Sequence, residues 1–119
     1  MTILAVADDE ILLRRAYADI FEDIGYTVFT FESGNALLKA MPELQPNAII
    51  LDVQMPGLDG ISVCKTIRKL PGGTKIPIII ISGSCGRTEP DLISAQADRF
   101  IHKPVDTDAL VAAVQSVLT

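Results

Sequence analysis

The sequence predicts an α/β protein, a doubly wound parallel sheet of five strands with helices on both faces. Three observations predict it. Short apolar runs alternate five times with stretches of helical spacing in 119 residues. One run, Ile78–Ile81, is four consecutive isoleucines, which suits a central strand buried on both faces of a parallel sheet. The polar residues that close the runs fall at their C-terminal ends, where such sheets build their sites. Strand–helix alternation calls for right-handed crossovers. Five such units fit the flavodoxin-like order 2-1-3-4-5.

The elements follow in order. Thr2–Ala7 is β-prone and ends at Asp8-Asp9-Glu10. Ile11, Leu12, Leu13, Tyr17, Ile20, Phe21 and Ile24 form an apolar stripe of helical period, stopped by Gly25. Tyr26–Phe31 is a β-branched and aromatic strand. Ser33 then caps a helix carrying Ala36, Leu37, Leu38, Met41 and Leu44, with Pro42 expected to shorten or fray it. Ala48–Leu51 is the third strand, ending at Asp52. A helix from Gly60 to Leu70 follows and is broken by Pro71-Gly72-Gly73. Ile76–Ile81 is the fourth strand, ending at Ser82. A short fourth helix, capped by Ser84 or Thr88 with Pro90 in its first turn, comes next. Arg99–His102 is the fifth strand, closed by Lys103-Pro104. Asp106 or Thr107 caps a fifth helix with Leu110, Ala113, Val114, Val117 and Leu118 on one face.

Bulk properties narrow the function classes. The length fits one domain over residues 1–119, with nothing that reads as an output domain. A composition of 49% apolar and 21% charged residues is ordinary globular material. The net charge of −5 argues against direct nucleic-acid binding, which needs clustered Lys and Arg, and against docking on an anionic membrane. No apolar run approaches the roughly 18–20 residues of a membrane span. The N-terminus lacks an export pattern, so a cytoplasmic location is expected. Cys64 and Cys85 have no metal-like spacing and read as free thiols, Cys64 as a core residue.

In the 2-1-3-4-5 order, strands 1, 3, 4 and 5 are consecutive neighbours. Their ends form one patch of Asp8, Asp9, Asp52, Ser82 and Lys103. Three carboxylates this close cannot all stay ionised without compensation. A hard divalent cation is the most direct compensation, and Mg2+ combines one or two carboxylates with a phosphate oxygen. A hydroxyl and an ammonium at the rim suit the remaining phosphate oxygens. Asp52, nearest the centre, is then a candidate nucleophile.

Four motifs stand in order: Val6-Ala7-Asp8-Asp9-Glu10, Leu51-Asp52-Val53-Gln54-Met55-Pro56-Gly57-Leu58-Asp59-Gly60, Ile81-Ser82-Gly83 and Phe100-Ile101-His102-Lys103-Pro104. With them the chain resembles, over essentially its whole length, the receiver domain of two-component response regulators. The resemblance implies that Asp52 accepts phosphate from a histidine kinase or histidine phosphotransfer protein. It implies Mg2+ held by Asp9 and Asp52, with the backbone carbonyl of Gln54, and by Asp8 mainly through water. Ser82 and Lys103 would bind the phosphoryl group. Ser82 and Phe100 would form the switch, altering the surface of the fourth helix, fifth strand and fifth helix for a downstream protein or output domain. The Lys103–Pro104 bond is expected to be cis.

Some residues depart from the family pattern. Gln96-Ala97-Asp98 stands where the family often has Gly-Ala-Asp, removing an easy left-handed helix stop. Asp59 reads as a turn or helix cap rather than a ligand, and His102 as a strand residue near the site. The alternative is a pseudo-receiver, a non-phosphorylated interaction module, which has no need for the full set of acids, hydroxyl and lysine. An aspartyl phosphohydrolase would want a second acid at position 54, where Gln54 stands. A flavin carrier would want a Ser/Thr/Gly-rich loop after strand one, where the acids stand. The expectation is therefore a signalling switch that assists its own phosphorylation and dephosphorylation rather than an enzyme.

Overall fold

A computed structural model of the chain describes residues 1–83 and 96–118. Its five strands are β1 (Ile3–Ala7), β2 (Thr27–Phe31), β3 (Ala48–Asp52), β4 (Ile78–Ser82) and β5 (Arg99–His102). They form one sheet in the order β2-β1-β3-β4-β5, with every pairing parallel. The helices are α1 (Ile11–Asp23), α2 (Gly34–Leu44), α3 (Gly60–Arg68) and, last in the chain, α4 (Thr107–Leu118). A 3-10 turn spans Gly73–Lys75. The fourth helix expected from sequence, with its cap at Ser84 or Thr88, and Cys85 lie outside the described residues.

The period-2 pleat divides the core into two layers. Ala5, Ala7, Ile49, Leu51, Ile78 and Ile80 face α2 and α3, which contribute Leu37, Met41, Ile61, Cys64 and Ile67. Leu4, Val6, Ile50, Ile79 and Ile81 face the opposite layer, with Tyr17 and Phe21 of α1 and Leu110 and Val114 of α4. The four isoleucines of β4 thus split two to each side, and all are fully buried.

Several element ends differ from the sequence reading. Thr27 begins β2, while Tyr26 stacks on Phe21 with ring centroids 5.8 Å apart. The chain enters β4 at Ile78, because Pro77 has no N–H to donate and the Ile78 N–H goes to the Asp98 carboxylate at 2.7 Å. At its other end α3 stops at Arg68, whose side chain turns back to bond the loops that follow. Ser33 caps α2 by accepting the Ala36 N–H at 3.1 Å, and α2 runs past Pro42 to Leu44. Proline there removes a single bond in the last turn. Gln96 itself adopts the left-handed conformation, with φ of 62°, so the turn before β5 is kept without glycine. Ile11 and Leu12 are 57% and 78% exposed, because only the Leu13–Tyr17–Phe21 side of α1 faces the sheet.

Candidate functional site

Sheet register brings the polar strand ends together. Ala7 pairs with Leu51, so Asp8 and Asp52 emerge side by side. Asp52 pairs with Ile81 and Ser82 with His102, which sets Ser82 and Lys103 one step along on the next strands. Two backbone bonds extend the ladder beyond the strands, from Val53 N–H to the Ile81 carbonyl at 2.9 Å and from Lys103 N–H to the Ser82 carbonyl at 2.8 Å. Asp8, Asp9 and Asp52 each place a carboxylate oxygen within 4.8 Å of the others.

The carboxylates differ in depth. Asp8 and Asp52 are each 1% exposed, whereas Asp9 stands at the exposed rim. Asp52 Oδ2 accepts from Lys103 Nζ at 3.0 Å, and its Oδ1 accepts the Gln54 N–H at 3.2 Å. Asp8 Oδ1 accepts the Glu10 N–H at 2.9 Å, while its Oδ2 is buried with no protein partner. Burial, above all, pushes the Asp8 carboxyl up to about 6. The Glu10 N–H and Lys103 oppose the rise, and the charges of Asp52 and Asp9 add to it. Burial acts to lower the Lys103 ammonium, but its hydrogen bond and charge pairing with Asp52 prevail and hold it above its ordinary value. Tyr17, beneath the site, is pushed up to about 12 by burial and by the charges of Asp8, Asp52 and Glu10.

These residues fit a hard divalent cation. The donors are all carboxylate oxygens, three acids face one ammonium, and one buried oxygen has no other partner. A Cβ on Gly60 would lie 2.3 Å from the Asp52 carbonyl oxygen. Only glycine lets the start of α3 seat against the strand end that presents Asp52. Asp59 caps that helix by accepting the Ser62 N–H at 2.8 Å.

The other residues of interest surround this centre. Ser82, 3% exposed, donates its hydroxyl to the Gly83 carbonyl at 3.0 Å. Phe100 is half-buried against the α2–α3 layer of the core, and His102 is exposed. The Lys103–Pro104 peptide is cis. The side chains of Gln54 and Lys103 converge over Gly83.

Two arginines were missed from sequence. Arg14 Nη1 donates to the Asp8 carbonyl at 2.8 Å. A basic residue one helical turn after an acidic strand end was the available signal. Arg68 ties three segments together at the opposite end of the sheet, its own helix and the stretches around Gly73–Ile76 and Gln96–Asp98. It bonds the carbonyls of Gly73 at 2.7 Å, Ile76 at 2.6 Å and Gln96 at 2.9 Å, and the Asp98 carboxylate at 3.1 Å. No local pattern announces bonds of that sequence separation.

A doubly wound parallel sheet with three acids and a lysine gathered at its strand ends is an arrangement suited to holding a phosphoryl group beside a cation. The family model for the response regulator receiver domain matches residues 4–115, and the chain belongs to that family. Domains of that family are signalling switches of two-component systems. Among relatives, the transcriptional regulatory protein CseB of Streptomyces avermitilis is 34% identical over 117 residues, 98% of this chain and 48% of that protein. Transcriptional regulatory protein AfsQ1 of Streptomyces coelicolor is 32% identical over 121 residues, 99% of this chain and 52% of that protein. The chain therefore spans about half the length of the curated relatives it matches. Among solved structures, the Vibrio cholerae chemotaxis protein CheY4 superposes with a TM-score of 0.90 at 26% identity, covering 99% of both chains. The receiver domain of a histidine kinase from Syntrophus aciditrophicus gives a TM-score of 0.90 at 25% identity, covering 99% of this chain and 90% of that one.

Proposed function

We propose that Asp52 is the phosphoacceptor of this receiver domain, taking the phosphoryl group from the histidine of a kinase or of a histidine phosphotransfer protein. A single observation carries the reading: a buried carboxylate at a strand end, held by Lys103 at 3.0 Å and flanked by two further carboxylates. An oxygen of Asp52 attacks phosphorus, the phosphorus–nitrogen bond of phosphohistidine breaks, and the imidazole leaves with the electron pair. The acyl phosphate carries about −1.5 to −2 charges beside Lys103, where the free carboxylate carried −1. Lys103 pairs with the new charge, and the Ser82 hydroxyl leaves the Gly83 carbonyl for a phosphoryl oxygen. Phe100 turns into the space behind it, changing the surface of β5, α4 and the expected fourth helix.

Mg2+, held by Asp9 and Asp52 with the Gln54 carbonyl and by Asp8 mainly through water, would neutralise charge on the carboxylates and the phosphoryl oxygens. The same residues let the domain assist its own phosphorylation from small donors and its own dephosphorylation. The exposed Ile11 and Leu12 beside the site offer apolar area to the phosphodonor protein. Relatives twice as long point to a downstream output domain or partner protein, and the domain works in the cytoplasm. The test is incubation with Mg2+ and acetyl phosphate, with Asp52→Asn alongside. The wild type is expected to gain an acid-stable, alkali-labile label that the variant lacks. Equal labelling of the variant, or none of the wild type, contradicts the assignment.

A further inference from the structure

Three bonds fix Asp8 and the peptide that follows it, and a fourth anchors the arginine that makes one of them. The Asp8 N–H donates to the Phe31 carbonyl at 3.1 Å. Its Oδ1 accepts the Glu10 N–H at 2.9 Å, and its carbonyl accepts Arg14 Nη1 at 2.8 Å. The Glu10 carbonyl accepts the Arg14 backbone N–H at 3.0 Å, so the arginine is rooted in the turn it braces. Only Oδ2 is left over, buried, and its carboxylate belongs to the cluster with Asp9 and Asp52.

The bond from Arg14 has a geometric consequence. A peptide is planar, so fixing the direction of the Asp8 carbonyl also fixes the Asp9 N–H and the bond to the Asp9 Cα. Asp9 is exposed, so burial does little to orient it. Glu10 precedes α1 without a side-chain cap, so the turn lacks the usual brace at a helix start. Arg14 bonds the Asp8 main-chain carbonyl and not its carboxylate, so the guanidinium acts on the acids through the backbone.

We infer that Arg14 is a positioning residue for divalent-cation binding: by bonding the Asp8 carbonyl it sets the Asp8–Asp9 peptide so that the three carboxylates converge before the ion arrives. This rests on the reading of Asp8, Asp9 and Asp52 as a cation site. Residues that orient metal ligands from outside the coordination shell are worth about 10-fold or more in affinity.

The test is Mg2+ binding by titration calorimetry on the whole chain, without phosphodonor, at a temperature where every variant is folded by circular dichroism. Arg14→Met, which keeps the length but not the donor, is expected to weaken Mg2+ binding about 10-fold. Arg14→Lys, which keeps a donor of similar reach, is expected to recover part of the loss. Arg15→Met, which removes the adjacent exposed cation, is expected to bind as the wild type does. If Arg14→Met does not fold, Arg14→Gln, too short to reach the Asp8 carbonyl, takes its place with the same expectation. Wild-type affinity in the Arg14 variants, or equal weakening in Arg15→Met, overturns the positioning role. A wild type that binds no Mg2+ instead overturns the cation site on which it rests.

Discussion

Asp8→Asn should stabilise the metal-free protein. The Asp8 carboxyl rises from its ordinary value of 3.8 to about 6, chiefly because burial disfavours its charged form. At about 1.4 kcal/mol per unit, that rise costs the native state at most about 3 kcal/mol above pH 6. Asparagine can keep the acceptor for the Glu10 N–H, and its amide can place donors toward the carboxylates of Asp9 and Asp52, where the orphaned Oδ2 now sits. The expected gain at pH 8 in EDTA is about 1–3 kcal/mol, or a Tm higher by roughly 4 °C per kcal/mol. The sign with pH follows from a raised acid. Above about 6 the native carboxyl is ionised against its surroundings and the cost is full. Between about 6 and 3.8 the native state holds a proton that the unfolded chain has released, so the cost shrinks as pH falls. Below 3.8 both states are protonated and the advantage of asparagine is gone. Urea unfolding followed by circular dichroism suits a chain with no tryptophan. A loss of stability in Asp8→Asn at pH 8, or a gain equal at pH 4 and pH 8, would refute the reasoning.

Three further outcomes follow from the packing. Arg68→Ala should cost about 1–3 kcal/mol in urea unfolding, since it removes the donor to three carbonyls and one of the two partners of the Asp98 carboxylate, yet leave Asp52 labelling by acetyl phosphate intact. Gln96→Gly should raise stability by about 1 kcal/mol in the same assay, because only the side chain opposes a φ of 62° and the carbonyl bonded by Arg68 is kept. Gly60→Ala should cost several kcal/mol, about 2–4, and slow acetyl phosphate labelling, because its Cβ meets the Asp52 carbonyl carbon and oxygen, backbone atoms that cannot yield without moving the strand end.

The sheet and the gathering of the polar strand ends were legible in the sequence because both follow from short-range patterns. Continuous apolar runs mark β3 and β4, and a parallel order makes the polar residue ending each run a neighbour of the next. The depth of the acids was not legible. Asp8 and Asp9 are adjacent and alike in sequence, but Asp8 still continues the β1 ladder through its N–H bond to Phe31, whereas Asp9 lies at the bend beyond it, so one is buried and the other stands at the rim. Tertiary bonds also escaped notice. Arg68 reaches Gln96 and Asp98 across 28 and 30 residues, and Asp98 fixes where β4 begins. Gln96 keeps the left-handed turn that its side chain disfavours, because the carbonyl it presents to Arg68 holds it there. At the start of α1, Ile11 and Leu12 fit the helical period but lie off the face that meets the sheet.

The central claim is that Asp52, and none of the other acids gathered around it, carries the phosphoryl group. Borohydride reduction of the acetyl phosphate–treated protein, followed by peptide mass mapping, converts an aspartyl phosphate to homoserine at the modified position. Homoserine at position 52 alone, dependent on Mg2+, is the expected result. Homoserine at position 8 or 9 in place of 52, or a phosphoryl group found only on His102, would contradict it.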